Sequence, residues 1–127
     1  MQALTLKEAD LYARLTLKQF GFSDYSVKWN KRPKDRSPLG RANPWGKQIE
    51  LSTRLLSSVK SLEHTTKHEI AHLVQFKMMG GTYRRNGRNN FHGKEFKAAC
   101  KIVGVSDARC FPQSLPLLEP KAACMVK

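Results

Sequence analysis

Two histidines, His68 and His72, stand four residues apart, and Glu69 directly follows the first. On a helix, positions i and i+4 lie on one face, one turn above the other. Both imidazoles then reach a single ion, and Glu69 sits a third of a turn away, close enough to hold a water on that ion. This H-E-x-x-H spacing is the arrangement of zinc hydrolases. With 4 histidines in 127 residues, chance produces it with a probability of roughly 0.6%, so the pattern is read as a site. Ile70, Leu73 and Val74 would bury the same helix against a core.

Zinc that keeps one position open for water needs a third protein ligand. His92 is the obvious donor, because it ends a basic loop, precedes a helix and is followed by Gly93. An imidazolium is disfavoured at a helix start by the dipole, whereas a neutral ligating ring suits that place. The alternative is an ordinary histidine at a helix start, with no metal. His64, one turn before His68, could approach the same ion, and is read as a supporting or exposed residue.

These side chains need elements to carry them. Thr5-Leu6-Lys7-Glu8 reads as a capping box opening a helix over 6–19, with Ala9, Leu11, Tyr12, Leu15 and Phe20 as its apolar stripe and Gly21 as its stop. Tyr25, Val27 and Trp29 alternate with polar residues, as do Ile49 and Leu51, which is strand period. Leu39 to Ala42 is a further short strand, and Asn43-Pro44-Trp45-Gly46 a turn, so residues 25–52 form a small, mostly antiparallel sheet. Leu55, Leu56 and Val59 make a turn or short helix. A long helix over 61–79 buries Leu62, Thr66, Ile70, Leu73 and Met78 and stops at Gly80-Gly81. Residues 82–91 form a basic loop with too few apolar side chains for a core element. A last helix from 93 or 94 packs through Phe96, Ala99, Cys100 and Val103 and is capped by Gly104. Beyond it, Pro112, Pro116 and Pro120 imply an irregular tail. Helix, sheet, helix, helix in one chain of this length is a single α+β domain, 1–127.

Charge narrows the classes of partner. Lys and Arg total 23 against 10 Asp and Glu, a net +13. Segments 31–60 and 77–109 each carry a net +6, and the nearly neutral stretch between them holds the H-E-x-x-H motif. Such a balance marks a candidate partner for polyanions. Lys31, Arg32, Lys34, Arg36, Arg84, Arg85 and Arg88 are positioned to meet phosphates, and Trp29, Trp45, Tyr83 and Phe91 are aromatics among them on which unpaired bases could stack. Core or hairpin packing is the competing role for both tryptophans. Cys100, Cys110 and Cys124 form no C-x-x-C pair, which excludes a four-cysteine zinc site and argues against a disulfide scaffold. No apolar run is long enough to span a bilayer, and the start has no leader pattern. The expected place is the cytoplasm, or the nucleus in a eukaryote, in association with DNA and not with membrane, as a monomer.

His68-Glu69-Ile70-Ala71-His72, followed twenty residues on by His92-Gly93-Lys94-Glu95-Phe96, resembles the SprT-like metallopeptidase domain, the family of the bacterial SprT proteins and the eukaryotic Spartan-type proteases. Lys47 to Ser52 is similar to the family strand that precedes the motif helix, and the likeness runs over about 5–111, leaving 112–127 as the tail. The resemblance implies a zincin-like core, one catalytic zinc ion (Zn2+) held by His68, His72 and His92, and Glu69 as general base. It implies peptide hydrolysis, in the best-understood members of proteins crosslinked to DNA. The chain departs from many bacterial relatives in having no cysteine pairs for a C-terminal zinc ribbon, so DNA targeting would rest on the domain's own charge.

Three functions follow from these readings. The first is a zinc metalloendopeptidase acting on DNA-associated proteins, with single-stranded or distorted DNA as a sequence-indifferent partner. The second is a zinc peptidase or hydrolase without DNA dependence. The third is a nucleic-acid-binding module with a structural metal, against which Glu69 argues because a structural site has no use for it. Tyr83, Arg84, Arg85 or Arg88 would supply a second electrophile, and residues 47–52 an edge for pairing an extended substrate.

Overall fold

The structure is a computed structural model that describes residues 4–30, 39–85, 87–89 and 91–105. Lys31, Arg32, Lys34, Arg36, Cys110, Cys124 and the tail lie outside the described residues.

Helix α1 runs Leu6–Gln19 and begins at the expected capping box. Thr5 Oγ1 accepts the Glu8 amide at 3.1 Å, and Glu8 Oε1 accepts the Thr5 amide at 2.9 Å. These bonds satisfy two donors that a helix start leaves without intrahelical partners. The buried face is Ala9, Ala13, Thr16 and Leu17. Leu11 and Leu15, assigned to the buried stripe from their spacing, point outward at 56% and 55% exposure. The small Ala9 and Ala13, one turn apart, carry the packed face instead. Gly21 ends the segment at φ +90, a conformation that favours glycine.

Strands β1 (Ser26–Asn30), β2 (Gly40–Asn43) and β3 (Gln48–Ser52) form one sheet in the order β1-β3-β2. The β2–β3 pair is antiparallel, as the sequence suggests, whereas β1 pairs with β3 in parallel, so the sheet is mixed. Alternation fixes which face a side chain occupies but not the direction of the neighbouring strand. Central β3 brings Ile49 and Leu51 fully into the core. Trp29 ties β1 to α1, its indole N–H donating to Asp10 Oδ1 at 2.9 Å, so packing accounts for this tryptophan.

One 3₁₀ turn, Thr53–Ser57, leads into α2, Val59–Met78, which Ser58 caps. Helix α2 is the backbone of the domain and packs on α3, β2 and α1. Leu62, Thr66, Ile70 and Leu73 are buried as expected, while Met78 is 47% exposed in the last turn, where the helix leaves the core. The stretch after it is more than a loop. Two short strands, β4 (Arg84–Arg85) and β5 (Arg88–Asn89), pair antiparallel around Gly87, and Tyr83 is buried. Helix α3, Lys94–Val103, buries Phe96, Ala99, Cys100 and Val103 and ends at a left-handed Gly104. The described residues thus form an α+β arrangement of three helices with a small mixed sheet. No helix among them is long and apolar enough to cross a membrane.

Candidate metal centre

The buried face of α2 is broken by a polar row: His68, Glu69, His72 and Gln75, at relative exposures between 0% and 8%. Burying such groups is costly unless they are paired or hold an ion, so a row of this kind is a candidate functional site. His92 stands one residue before Gly93, the N-cap of α3, and α3 packs on α2 more extensively than any other element does. That packing brings the third ring over the first two. One donor atom from each of His68, His72 and His92 lies within 4.8 Å of the others.

Phe96 holds the cluster from behind. It lies one turn beyond His92 on α3, is 1% exposed, and stacks on His72 with centroids 4.4 Å apart. Its ring also meets His68 at 5.1 Å and His92 at 4.9 Å. All three imidazoles therefore lean on one buried aromatic, which limits their rotation before any ion arrives. His64 lies with its ring 6.0 Å from that of His68 and is not part of the convergent set.

Protonation favours ligation. Burial, opposed by the Gln75 bond and assisted by the charge of His92, pulls the His72 pKa down to about 4. A neutral imidazole is the ligating form. His72 Nδ1 lies 3.0 Å from Gln75 Oε1, and Gln75 is fully buried. An amide oxygen only accepts, so this contact is a hydrogen bond when the proton is on Nδ1, the tautomer that leaves the Nε2 lone pair free to ligate. Replacing Gln75 by Leu removes that acceptor at similar volume. We expect metal affinity to fall about 10–100-fold, measured by competition with a chelator. Unchanged affinity would mean that packing against Phe96 alone orients His72.

Glu69 is 4% exposed and shares a cleft of about 310 Å³ with His72 and His92. Burial pushes its carboxyl up to about 8, while a cation in the cluster acts in the opposite direction. The other walls are Arg41 and Ala42 from β2, Trp45 from the following turn, and Tyr83 and Phe91 at the two ends of the hairpin segment. Three of these wall residues correct the sequence reading or add to it. Tyr83, expected to face nucleic acid or to act as an electrophile, is 5% exposed, and its hydroxyl donates to the His72 carbonyl at 2.7 Å. Burial raises its phenol far above the ordinary range. The tyrosine is thus a brace under the α2 backbone. Arg41, which the sequence did not single out, is exposed and lines the cleft beside Glu69. Trp45 is 69% exposed at the cleft wall and packs by ring edges on Phe76 and Tyr83.

Arg84 and Arg88 are exposed on the hairpin, and Arg85 lies beside Arg84 in β4. Residues 47–52, expected to offer a free strand edge, form the central strand with both edges paired; the edge strand that lines the cleft is β2. Gly40, also on β2, is a further residue that the sequence did not mark. A Cβ built there would stand 3.0 Å from Glu69 Cγ and 2.9 Å from Thr65 Cγ2. Cys100 is buried on α3 and is not a member of the histidine cluster.

An α+β domain with two histidines and a glutamate on one buried helix face, joined by a histidine just before a second helix, is a metallopeptidase-like domain with three histidines placed to hold a metal ion. The SprT-like family model matches residues 8–115, and the chain belongs to that family. No curated protein and no solved structure gives a significant match.

Proposed function

We propose that this protein is a zinc-dependent metalloendopeptidase that acts on proteins associated with or crosslinked to DNA. The observation that carries the peptidase reading is the convergence of His68, His72 and His92, with His72, His92 and the buried Glu69 facing one open cleft. Three imidazoles with an open side suit zinc in a catalytic role. Zinc held there would supply a Lewis acid that makes water more acidic and polarises a carbonyl. Glu69 takes a proton from the attacking water and delivers it to the departing amine. The water oxygen ends on the acyl carbon and its hydrogen on the new amine, so the peptide bond is the only bond of the substrate that breaks. Arg41, in the same cleft, is the candidate to hold the carbonyl oxygen as charge develops on it.

Metal analysis coupled to a cleavage assay tests this reading. Zinc near one equivalent, and turnover of a protein substrate that disappears with chelator and returns with zinc, is the expected result. A zinc-loaded protein that cleaves no substrate, with or without single-stranded DNA, would refute it.

The DNA part rests on charge. The net +13 is concentrated in two segments, and the second carries the exposed Arg84 and Arg88 on the hairpin that leads to His92. A polyanion held there would bring attached protein close to the cleft. If four to six phosphates of single-stranded DNA are neutralised, log K should fall with log salt at a slope of about −3 to −4. Replacing Arg84, Arg85 and Arg88 together by Ala should weaken binding equally for unrelated sequences while zinc content holds. No affinity at about 50 mM salt, or full affinity in the triple variant, would favour the peptidase without DNA dependence.

A further inference from the structure

The cleft has a second chemistry beside its metal centre. Trp45 and Phe91, large apolar side chains at 69% and 44% exposure, both line the cavity that contains Glu69, His72 and His92. They are joined through Tyr83, whose ring centroid lies 5.8 Å from that of Trp45 and 5.1 Å from that of Phe91. Tyr83 is itself fixed to the His72 carbonyl. An aromatic wall therefore runs continuously from the backbone of a metal-binding histidine to the solvent.

The indole is presented by a built turn. Asn43 Oδ1 accepts the Gly46 amide at 3.1 Å, Pro44 O accepts the Lys47 amide at 3.3 Å, and Lys47 adopts φ +51 to complete the reversal into β3. Trp45 also rests edge-on against Phe76, 5.2 Å between centroids. Two large apolar side chains exposed together on one cavity form the kind of patch that marks a binding groove. An aromatic ring that docks on such a wall removes roughly 150–250 Å² from water.

We propose that Trp45 and Phe91 select the substrate: the wall takes a bulky apolar side chain, aromatic or long aliphatic, from a residue next to the scissile bond of an extended peptide. The inference rests on the peptidase reading above. The wall and the catalytic groups share one cavity of about 310 Å³, so a side chain seated on the wall places its own backbone within reach of Glu69. A nucleobase is a poorer occupant, because its bulk in this cavity would keep an extended peptide away from Glu69. A basic side chain is disfavoured by Arg41 and by any cation in the histidine cluster.

The test digests a random peptide library with zinc-loaded protein and reads the cleaved positions by mass spectrometry. It then compares two peptides that differ only by Phe or Ala at the preferred position. We expect kcat/KM to favour Phe about 10–100-fold. Trp45→Ala should shrink that ratio to about three-fold or less, and Trp45→Phe should keep most of it. A library without apolar preference, or a ratio unchanged in Trp45→Ala, overturns the inference even though the peptidase reading survives. Loss of affinity for oligothymidine in Trp45→Ala with the peptide ratio intact also overturns it, and assigns the indole to base stacking. If no peptide is cleaved, calorimetry of the same two peptides on zinc-loaded Glu69→Gln protein decides the matter. Tighter binding of the Phe peptide supports the wall, and equal or absent binding overturns it.

Discussion

Glu69→Gln protein loaded with zinc is expected to keep its fold and its metal and to lose hydrolysis. Glutamine nearly reproduces the size of the carboxyl and its place in the cleft, but an amide cannot take the proton from water. General acid–base catalysis is worth about 10²–10⁴-fold, so kcat should fall by at least that range. The three imidazoles come from other residues, so bound zinc, read by elemental analysis, should remain at its wild-type level. His92→Ala separates the two kinds of loss, because removing one of three ligands lowers zinc content as well as turnover. Full turnover in metal-loaded Glu69→Gln protein would assign the base to another residue.

How much of this site could be read from the chain alone follows from where each signal resides. His68, Glu69 and His72 are local: helical spacing places them on one face, and no knowledge of packing is needed. The capping box of α1 is equally local, and Thr5 and Glu8 behave as the pattern says. His92 was legible because it precedes a helix with a strong apolar stripe, whose docking on α2, with Phe96 against His68 and His72, carries the ring to the cluster. What was not legible depends on partners distant in sequence. Leu11 and Leu15 are apolar at plausible spacing, yet the face that packs is set by Ala9 and Ala13, which admit a close neighbour. Nothing in the alternation of Val27 and Trp29 reveals that their strand runs parallel to β3. Tyr83 sits among arginines and reads as surface, but a phenol that reaches the His72 carbonyl is buried whatever its sequence neighbours are. Arg41 acquires meaning only because β2 borders the cleft, and Trp45, marked in the sequence as an aromatic among basic residues, proves to line that cleft from the following turn.

The same limit hides Gly40, whose substitution should produce the second large effect. Gly40→Ala is expected to lower kcat on the order of 10²-fold and to cost about 1–3 kcal/mol of stability, with zinc content unchanged. Gly40 is not among the glycines at positive φ, so its backbone does not demand glycine. Space does. A Cβ would lie 2.9 Å from Thr65 Cγ2, 3.0 Å from Glu69 Cγ and 3.1 Å from Glu69 Oε2. Thr65 is fully buried and β-branched, hence stiff at χ1. The strain must then move the Glu69 side chain relative to the histidines, or lift β2, and Arg41 with it, from the cleft beside Glu69, and neither requires His68 or His72 to move. The loss should therefore appear in kcat more than in KM. Thr65→Ser removes the nearest obstructing carbon, and the double variant Gly40→Ala/Thr65→Ser should recover part of both stability and kcat. In a Glu69→Gln background, Gly40→Ala should cause no further loss of turnover, because both changes act on one carboxylate. Wild-type kcat and stability in Gly40→Ala would show that the contact yields without consequence, and that the position of Glu69 is set by α2 alone.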